Sequence, residues 1–517
     1  MLIVRNTETR LSPKKLVWLY LLVFSCFLLT TVTAYKFRHS IKSALLSSQL
    51  LITQTYARVT TQPIKLNINV SFKNLTKIER DRLQAKQDEI RNSDDNTWVP
   101  AIVVVEGLEN KAKIRLKGSH VDHWSGTDKW SLSVKLNGKS KFLDSQRLSL
   151  NVPESRVMIM EWLFAMSLKE VGLLSVNTDF VDVSVNGKNL GMYVVQEKPT
   201  DDFIKRHNRP LGPILKFNKD IWLLTRRTAY SYLSSVIEAQ QNTENHRFVN
   251  RHRAYLAATR KLRQFRNGSL IASEVFDIEQ LTKLMAMYAI FAGWEFDWKD
   301  LAFYYNEKSQ RFELIGREIH HEFTKFREEL WWMNQPRYVR GNLLLQQLFS
   351  DHRVATMYVN YLWEWSTGDF LKNIFKKYND EISQNILLIH RDNPEYSLDP
   401  SEFEKNLRYI RRQIEANRIV DVNKLNVYED AISISIRSEV SFPLRLTGIK
   451  AGDRWLTDMT NVDLSQRIVH GNNSARGYKF PLVGPAPKND EILSLHMEWP
   501  GSGRDHIVFI DTISDQK

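Results

Sequence analysis

The chain has 517 residues, with 72 Lys and Arg against 59 Asp and Glu, and a formal net charge of +13. That charge is spread along the chain without a nucleic-acid reader motif, so it reads as a solvated basic surface or one lying near anionic lipid. The single cysteine, Cys26, sits in an apolar run, which excludes disulfides and cysteine-ligated zinc from the rest of the chain.

Leu16 to Tyr35 runs twenty residues without a charge. A helix of that length covers about 30 Å, the thickness of a bilayer's hydrocarbon core. The run therefore predicts a transmembrane anchor over 16–35 in contact with membrane lipid, behind a short basic tail at 1–15. Arg5, Arg10, Lys14 and Lys15 ahead of it, with Val32-Thr33-Ala34 near its end, also fit an export signal. Both readings put the body outside the cytoplasm, and the anchor makes it a single-pass protein of the cell membrane. Residues 36–61 are polar and read as a stalk.

Ile64, Leu66, Ile68, Val70 and Phe72 alternate with polar residues, the pattern of a half-buried strand. A charged helical stretch follows from about Leu75 to Arg91. Period-two strands recur at Ala112/Ile114/Leu116, Trp130/Leu132/Val134/Leu136 and Leu148/Leu150/Val152. Val157 to Leu173 is apolar almost all round, as a buried helix is. Val181/Val183/Val185 and Leu190/Met192/Val194 flank Asn186-Gly187 and predict a hairpin. Residues 62–241 thus read as a β-rich lobe, an antiparallel sheet crossed by one central helix.

Residues 242–424 read as a helical lobe. Asp277 with Gln280 gives a capping-box start to a helix running to about Trp294. A strand pair, Leu301 to Asn306 and Phe312 to Ile315, interrupts the helices. Residues 425–517 return to strands and read as a small β-sandwich, in which Trp455 and Trp499 are candidates for stacking on sugars.

Several blocks carry a resemblance. KIRLKGSHVDHW (113–124), DKWSLSVKL (128–136), ESRVMIMEWLF (154–164), VNGKNLGMYVVQE (185–197), GPILKF (212–217), WEFDWKDLAFYYN (294–306) and FELIG (312–316) occur together and in order. Together they resemble the spore-coat CotH family of atypical kinases. The resemblance implies an α+β, atypical protein-kinase-like bilobal fold: an antiparallel β-rich N-lobe with one central helix, then a helical C-lobe. It also implies transfer of the ATP γ-phosphate to Ser or Thr of an envelope or secreted protein, with Mg2+ or Mn2+.

Phosphoryl transfer needs cations on the phosphates, a carboxylate to position them, metal ligands and a base near the acceptor hydroxyl. The resemblance places Lys129 on the phosphates and Glu161 as its partner. Glu197 and Lys216 lie near the lobe junction as nucleotide contacts, and Arg115 and Lys117 are alternative phosphate-facing cations. Asp297 matches the base, and Asp300 and Glu318 the metal ligands.

This sequence also departs from the family pattern. Trp298-Lys299-Asp300 stands where Trp-His-Asn is expected, and Arg317-Glu318 where an aromatic residue and Asp are expected. One extra methylene matters because magnesium demands near-octahedral oxygens at about 2.0–2.1 Å. His320-His321 lies close enough to supply nitrogen ligands instead. A catalytically silent pseudokinase, acting as a nucleotide- or protein-binding scaffold, is therefore the competing expectation.

Overall fold

The computed structural model describes residues 13–91, 97–119, 121–225, 228–239, 248–293, 296–319, 321–327, 343–415, 420–438, 444–457, 459, 462, 467–469, 475–488, 491–498 and 505–510. The chain divides into two compact units, one of residues 1–62 with 387–396 and one of the remainder.

In the first unit a single helix, α1 (Pro13–Thr60), contains the apolar run and continues without a break through the segment read as a stalk. Near its end Gln54 Nε2 and Arg58 Nε donate to the Arg391 carbonyl at 3.0 and 3.2 Å. Among the described residues no helix is long and apolar enough to cross a membrane. The expected transmembrane helix at 16–35 and the single-pass location at the cell membrane are corrected accordingly. The uncharged run is one part of a longer helix that continues to Thr60, and the length of an uncharged run does not by itself make a span.

The second unit is built on a closed barrel. Its strands are β1 (Ile64–Asn69), β2 (Val99–Val105), β3 (Leu108–Leu116), β4 (Leu132–Leu136), β5 (Arg147–Asn151), β6 (Thr178–Val185) and β7 (Lys188–Glu197). Their order around the barrel is β1-β2-β3-β4-β5-β7-β6. All neighbours are antiparallel except β1 and β6, whose parallel pairing from Ile64↔Val181 to Ile68↔Val185 closes the ring. Leu66, Ile68, Val103, Ile114, Leu116, Val134, Leu148, Leu150, Val183 and Val195 fill the hydrophobic core of this barrel. Ser71 caps α2 (Phe72–Asp88), which follows β1.

The expected fold class is therefore corrected to a mixed α/β architecture on a closed seven-strand barrel. Period-two alternation reads alike in an open kinase-like sheet and in a closed barrel, so it could not foresee that β1 would pair on both edges. The expected central helix, α3 (Met160–Glu170), packs Phe164 edge-on against Tyr288 and Phe291.

A second sheet, ordered β11-β10-β8-β9, follows the barrel in sequence. It comprises β8 (Ile214–Phe217), β9 (Ile237–Ala239), β10 (Ala302–Asn306) and β11 (Arg311–Ile315). The helix Ile278–Ile290 starts at Asp277, whose Oδ1 accepts the Gln280 N–H at 3.0 Å. At its far end Asn406 Nδ2 donates to the Ala289 and Ile290 carbonyls at 3.0 and 2.9 Å. The last segment forms one sheet from Val420–Val427, Ala431–Ser438 and Arg476–Pro481, and another around Leu444–Ala451, Leu493–Glu498 and Asp505–Ile510.

Leu150 is fully buried in the barrel. Replacing it with Ala is expected to lower the unfolding free energy by about 2–5 kcal/mol. Urea denaturation reads this directly, and an unchanged midpoint would contradict the closed core.

Candidate functional site

The alternation that sends Ile114 and Leu116 into the barrel sends Arg115 and Lys117 out of it. Arg115 stands opposite Ser133, Ser133 opposite Ser149, and Ser149 opposite Gln196, so one row crosses four strands. Ser133, Ser149, Asn151 and Gln196 face away from the core, yet each is at most 5% exposed. The outer face of β3-β4-β5-β7 is thus a covered polar floor.

Cations converge on that floor. Lys117 Nζ donates to Asn151 Oδ1 at 2.6 Å, and Lys198 Nζ to Ser133 Oγ at 3.2 Å. Arg156, 2% exposed, donates from Nε to Gln196 Oε1 at 3.3 Å and holds an NH2 group 3.6 Å from Glu318 Oε1. Burial pushes the Lys117 ammonium well below its ordinary range, and the neighbouring Arg156 charge adds to this. Burial, with Arg115, Arg147 and Arg317, brings Lys198 down to about 7. Burial alone would push the Glu318 carboxyl up, but Arg156, Arg317, Lys117 and Lys219 outweigh it and hold it well below the usual carboxylate range. Several cations thus face the Glu318 carboxylate, an arrangement that an anion with several charged oxygens would satisfy.

Local backbone geometry presents these groups. The glycine of the RLKG block, Gly118, sits at φ +85°, and a Cβ there would lie 1.9 Å from the His123 ring. The chain after Arg156 passes through Val157 and Met158 at φ 49° and 58°. Glu318 also lies at φ 57°. Left-handed conformations at such residues persist only where surrounding contacts impose them. For Glu318 the contacts are explicit. Glu161 Oε1 accepts the Glu318 N–H at 2.7 Å and Oε2 the Ile319 N–H at 2.9 Å, while Gln196 Nε2 donates to Glu161 Oε1 at 2.8 Å. The Tyr288 hydroxyl donates to the Arg317 carbonyl at 2.5 Å. Gly316 packs so closely that a Cβ would lie 2.3 Å from Leu168 Cδ1.

A second charged group lies on the turn before β10. Lys299 Nζ is 2.7 Å from Asp297 Oδ2 and 3.1 Å from Asp300 Oδ2, and Lys219 Nζ is 3.7 Å from Asp300 Oδ1. Asp297 Oδ1 is buried without a hydrogen-bond partner among the described residues. Burial pushes the Asp297 carboxyl up, against the opposing pull of Lys299.

The expected site residues separate into three groups. Lys117 and Glu318 come together in the cation cluster, with the Arg115 charge felt at Lys198, while Asp297 and Asp300 share Lys299. Both oxygens of Glu161 accept N–H groups, from Gln196, Glu318 and Ile319. Lys129 lies over the Tyr193 ring at 5.2 Å. Glu197 accepts the Asn177 N–H and pairs with Arg206, and Lys216 faces Glu238 at 3.5 Å; neither has a described contact with Glu318. His320 and Trp499 lie outside the described residues, and His321 packs edge-on against Phe323. Arg156, Gln196, Lys198 and Lys219 were not foreseen as site residues. The signal for the barrel-face members was the run of small polar residues at outward strand positions.

The basic floor fits a polyphosphate. The carboxylates fit a divalent metal less well, since ammonium groups already stand against Asp297 and Asp300 and a guanidinium against Glu318. Among the described residues no group of three or more His, Cys, Asp or Glu side chains is arranged to hold a metal.

Lys198 makes a pH-linked prediction. Its folded value of about 7 lies below the ordinary 10.5, so the folded state binds fewer protons and stability rises with pH across that window. Lys198→Met is expected to make this rise shallower, Lys117 keeping its own contribution. Equal slopes for both proteins in denaturation series across those pH values would exclude a depressed Lys198.

No curated protein matches the chain. A family model described as CotH kinase protein matches residues 114–419, more than half of the chain. That span holds both the basic floor with Glu318 and the Asp297–Asp300 turn, and kinases use ATP and a divalent metal in general. The chain belongs to the CotH kinase family.

Proposed function

We propose that this CotH kinase family member transfers the γ-phosphate of ATP to a Ser or Thr hydroxyl of a protein. The observation that carries this reading is the convergence of Lys117, Arg156, Lys198 and Arg317 around the carboxylate of Glu318. ATP supplies the electrophilic phosphorus and a good leaving group. Lys117 and Arg156 hold the phosphate oxygens, and the amine of Lys198, lowered to about 7, takes up a proton and becomes an ammonium as negative charge arrives beside it. Charge spreading onto oxygens during transfer is stabilised by such preset cations without reorganisation. Asp297 accepts the acceptor hydroxyl's proton at Oδ1, while Lys299 fixes its other oxygen. Glu161 is a positioning residue, holding the turn that presents Glu318.

A second reading, a binding scaffold without transfer, is favoured by Lys299. Its ammonium neutralises the two carboxylates on which a base and a metal ligand would depend.

The test uses the full chain with ATP, magnesium or manganese and protein acceptors, read by intact mass. Lys117→Met and Arg156→Met are each expected to weaken ATP binding at least about tenfold, the loss of one charge-assisted contact. Asp297→Asn is expected to keep ATP binding and lose transfer by roughly 100-fold or more. Transfer that survives Asp297→Asn would remove it as the base. ATP-dependent thermal stabilisation with no transfer to any acceptor would favour the scaffold.

A further inference from the structure

Lys299 occupies a position with particular chemistry. It lies between Asp297 and Asp300 on one tight turn, in which the Asp300 and Leu301 N–H groups donate to the Asp297 carbonyl at 3.0 and 3.2 Å. The side chain folds back over the Trp222 ring at 5.0 Å, so its ammonium bridges one oxygen of each carboxylate. Lys299 is 12% exposed and Asp300 9%. Burial would lower the ammonium's proton affinity, but Asp300 and Asp297 outweigh it and keep Lys299 charged. Lys219 stands against the remaining oxygen of Asp300.

A divalent ion recruited by these carboxylates would need oxygens at about 2.0–2.1 Å. It would have to expel the Lys299 ammonium, and two cations would then share one shielded pocket. Charge compensation for phosphates is meanwhile present on the barrel face in Lys117, Arg156, Lys198 and Arg317. The turn therefore holds a tethered cation where a soluble one would otherwise bind.

We propose that Lys299 replaces a divalent metal at the Asp297–Asp300 pair, so that a nucleoside triphosphate binds this site largely without metal. The inference rests on the phosphate-binding reading above and deepens it.

Calorimetric titration of ATP into the full chain, in EDTA and in excess magnesium, tests it. Dissociation constants are expected to agree within about threefold. Lys299→Asn, which removes the tethered cation and leaves a neutral side chain between the two carboxylates, is expected to bind Mn2+ about tenfold more tightly by electron paramagnetic resonance and to make ATP binding metal-dependent. Lys299→Arg keeps the cation and is expected to keep ATP binding in EDTA. Wild-type binding that requires magnesium would overturn the proposal, whether or not the Asn variant folds. Absence of ATP binding in both buffers would instead overturn the phosphate-site reading, and this inference with it.

Discussion

The carboxylate of Glu161 ties the second unit together at its chemical centre. It lies in α3, accepts an amide hydrogen from Gln196 on the barrel, and takes the consecutive N–H groups of Glu318 and Ile319 from the segment after β11. Three separate parts of the fold therefore meet on two oxygen atoms. A buried carboxylate is costly unless its lone pairs are used, and here each oxygen accepts at least one N–H. The same contacts impose the left-handed conformation at Glu318, which places its side chain among the cations.

The electrostatics follow from that placement. Lys117, Arg156, Lys198 and Arg317 would repel one another on a covered face, and Glu318 is the carboxylate that moderates them. The balance is incomplete, because burial and mutual repulsion still depress Lys117 and Lys198. A face with excess positive charge, partly withdrawn from water, is organised in advance for an anion. On the neighbouring turn the balance is reversed in design, with two carboxylates matched by two ammonium groups. The two clusters thus have different electrostatic characters within one family-matched region.

Glycine marks the places where this arrangement leaves no space. Gly118 turns the chain against His123, and Gly316 lies under Leu168. Both belong to motif blocks, RLKG and FELIG, which in physical terms record close backbone approach as much as chemistry. Arg156 and Glu318 each adjoin or occupy a left-handed position, so the pair is presented by backbone strain that the surrounding contacts offset.

Several features were determined by the sequence alone. Alternation at Ile64–Val70, Ala112–Leu116 and Leu148–Val152 specified strands, because a period of two admits one buried face. The cap at Asp277 and the motif blocks were legible for similarly local reasons. Barrel closure was not legible, since β1 pairs with β6 across more than one hundred residues and alternation carries no partner information. The apolar run at 16–35 suggests a span by its length, whereas the structure places it within a longer helix, and among the described residues no helix is long and apolar enough to cross a membrane. The resemblance implies Glu161 as a partner for Lys129, and it carries no sign of the backbone turn that the fold brings to Glu161 from beyond β11. Side-chain types and their spacing are local properties of the chain. Which charges meet depends on how distant segments cross, and that was decided only in the tertiary structure.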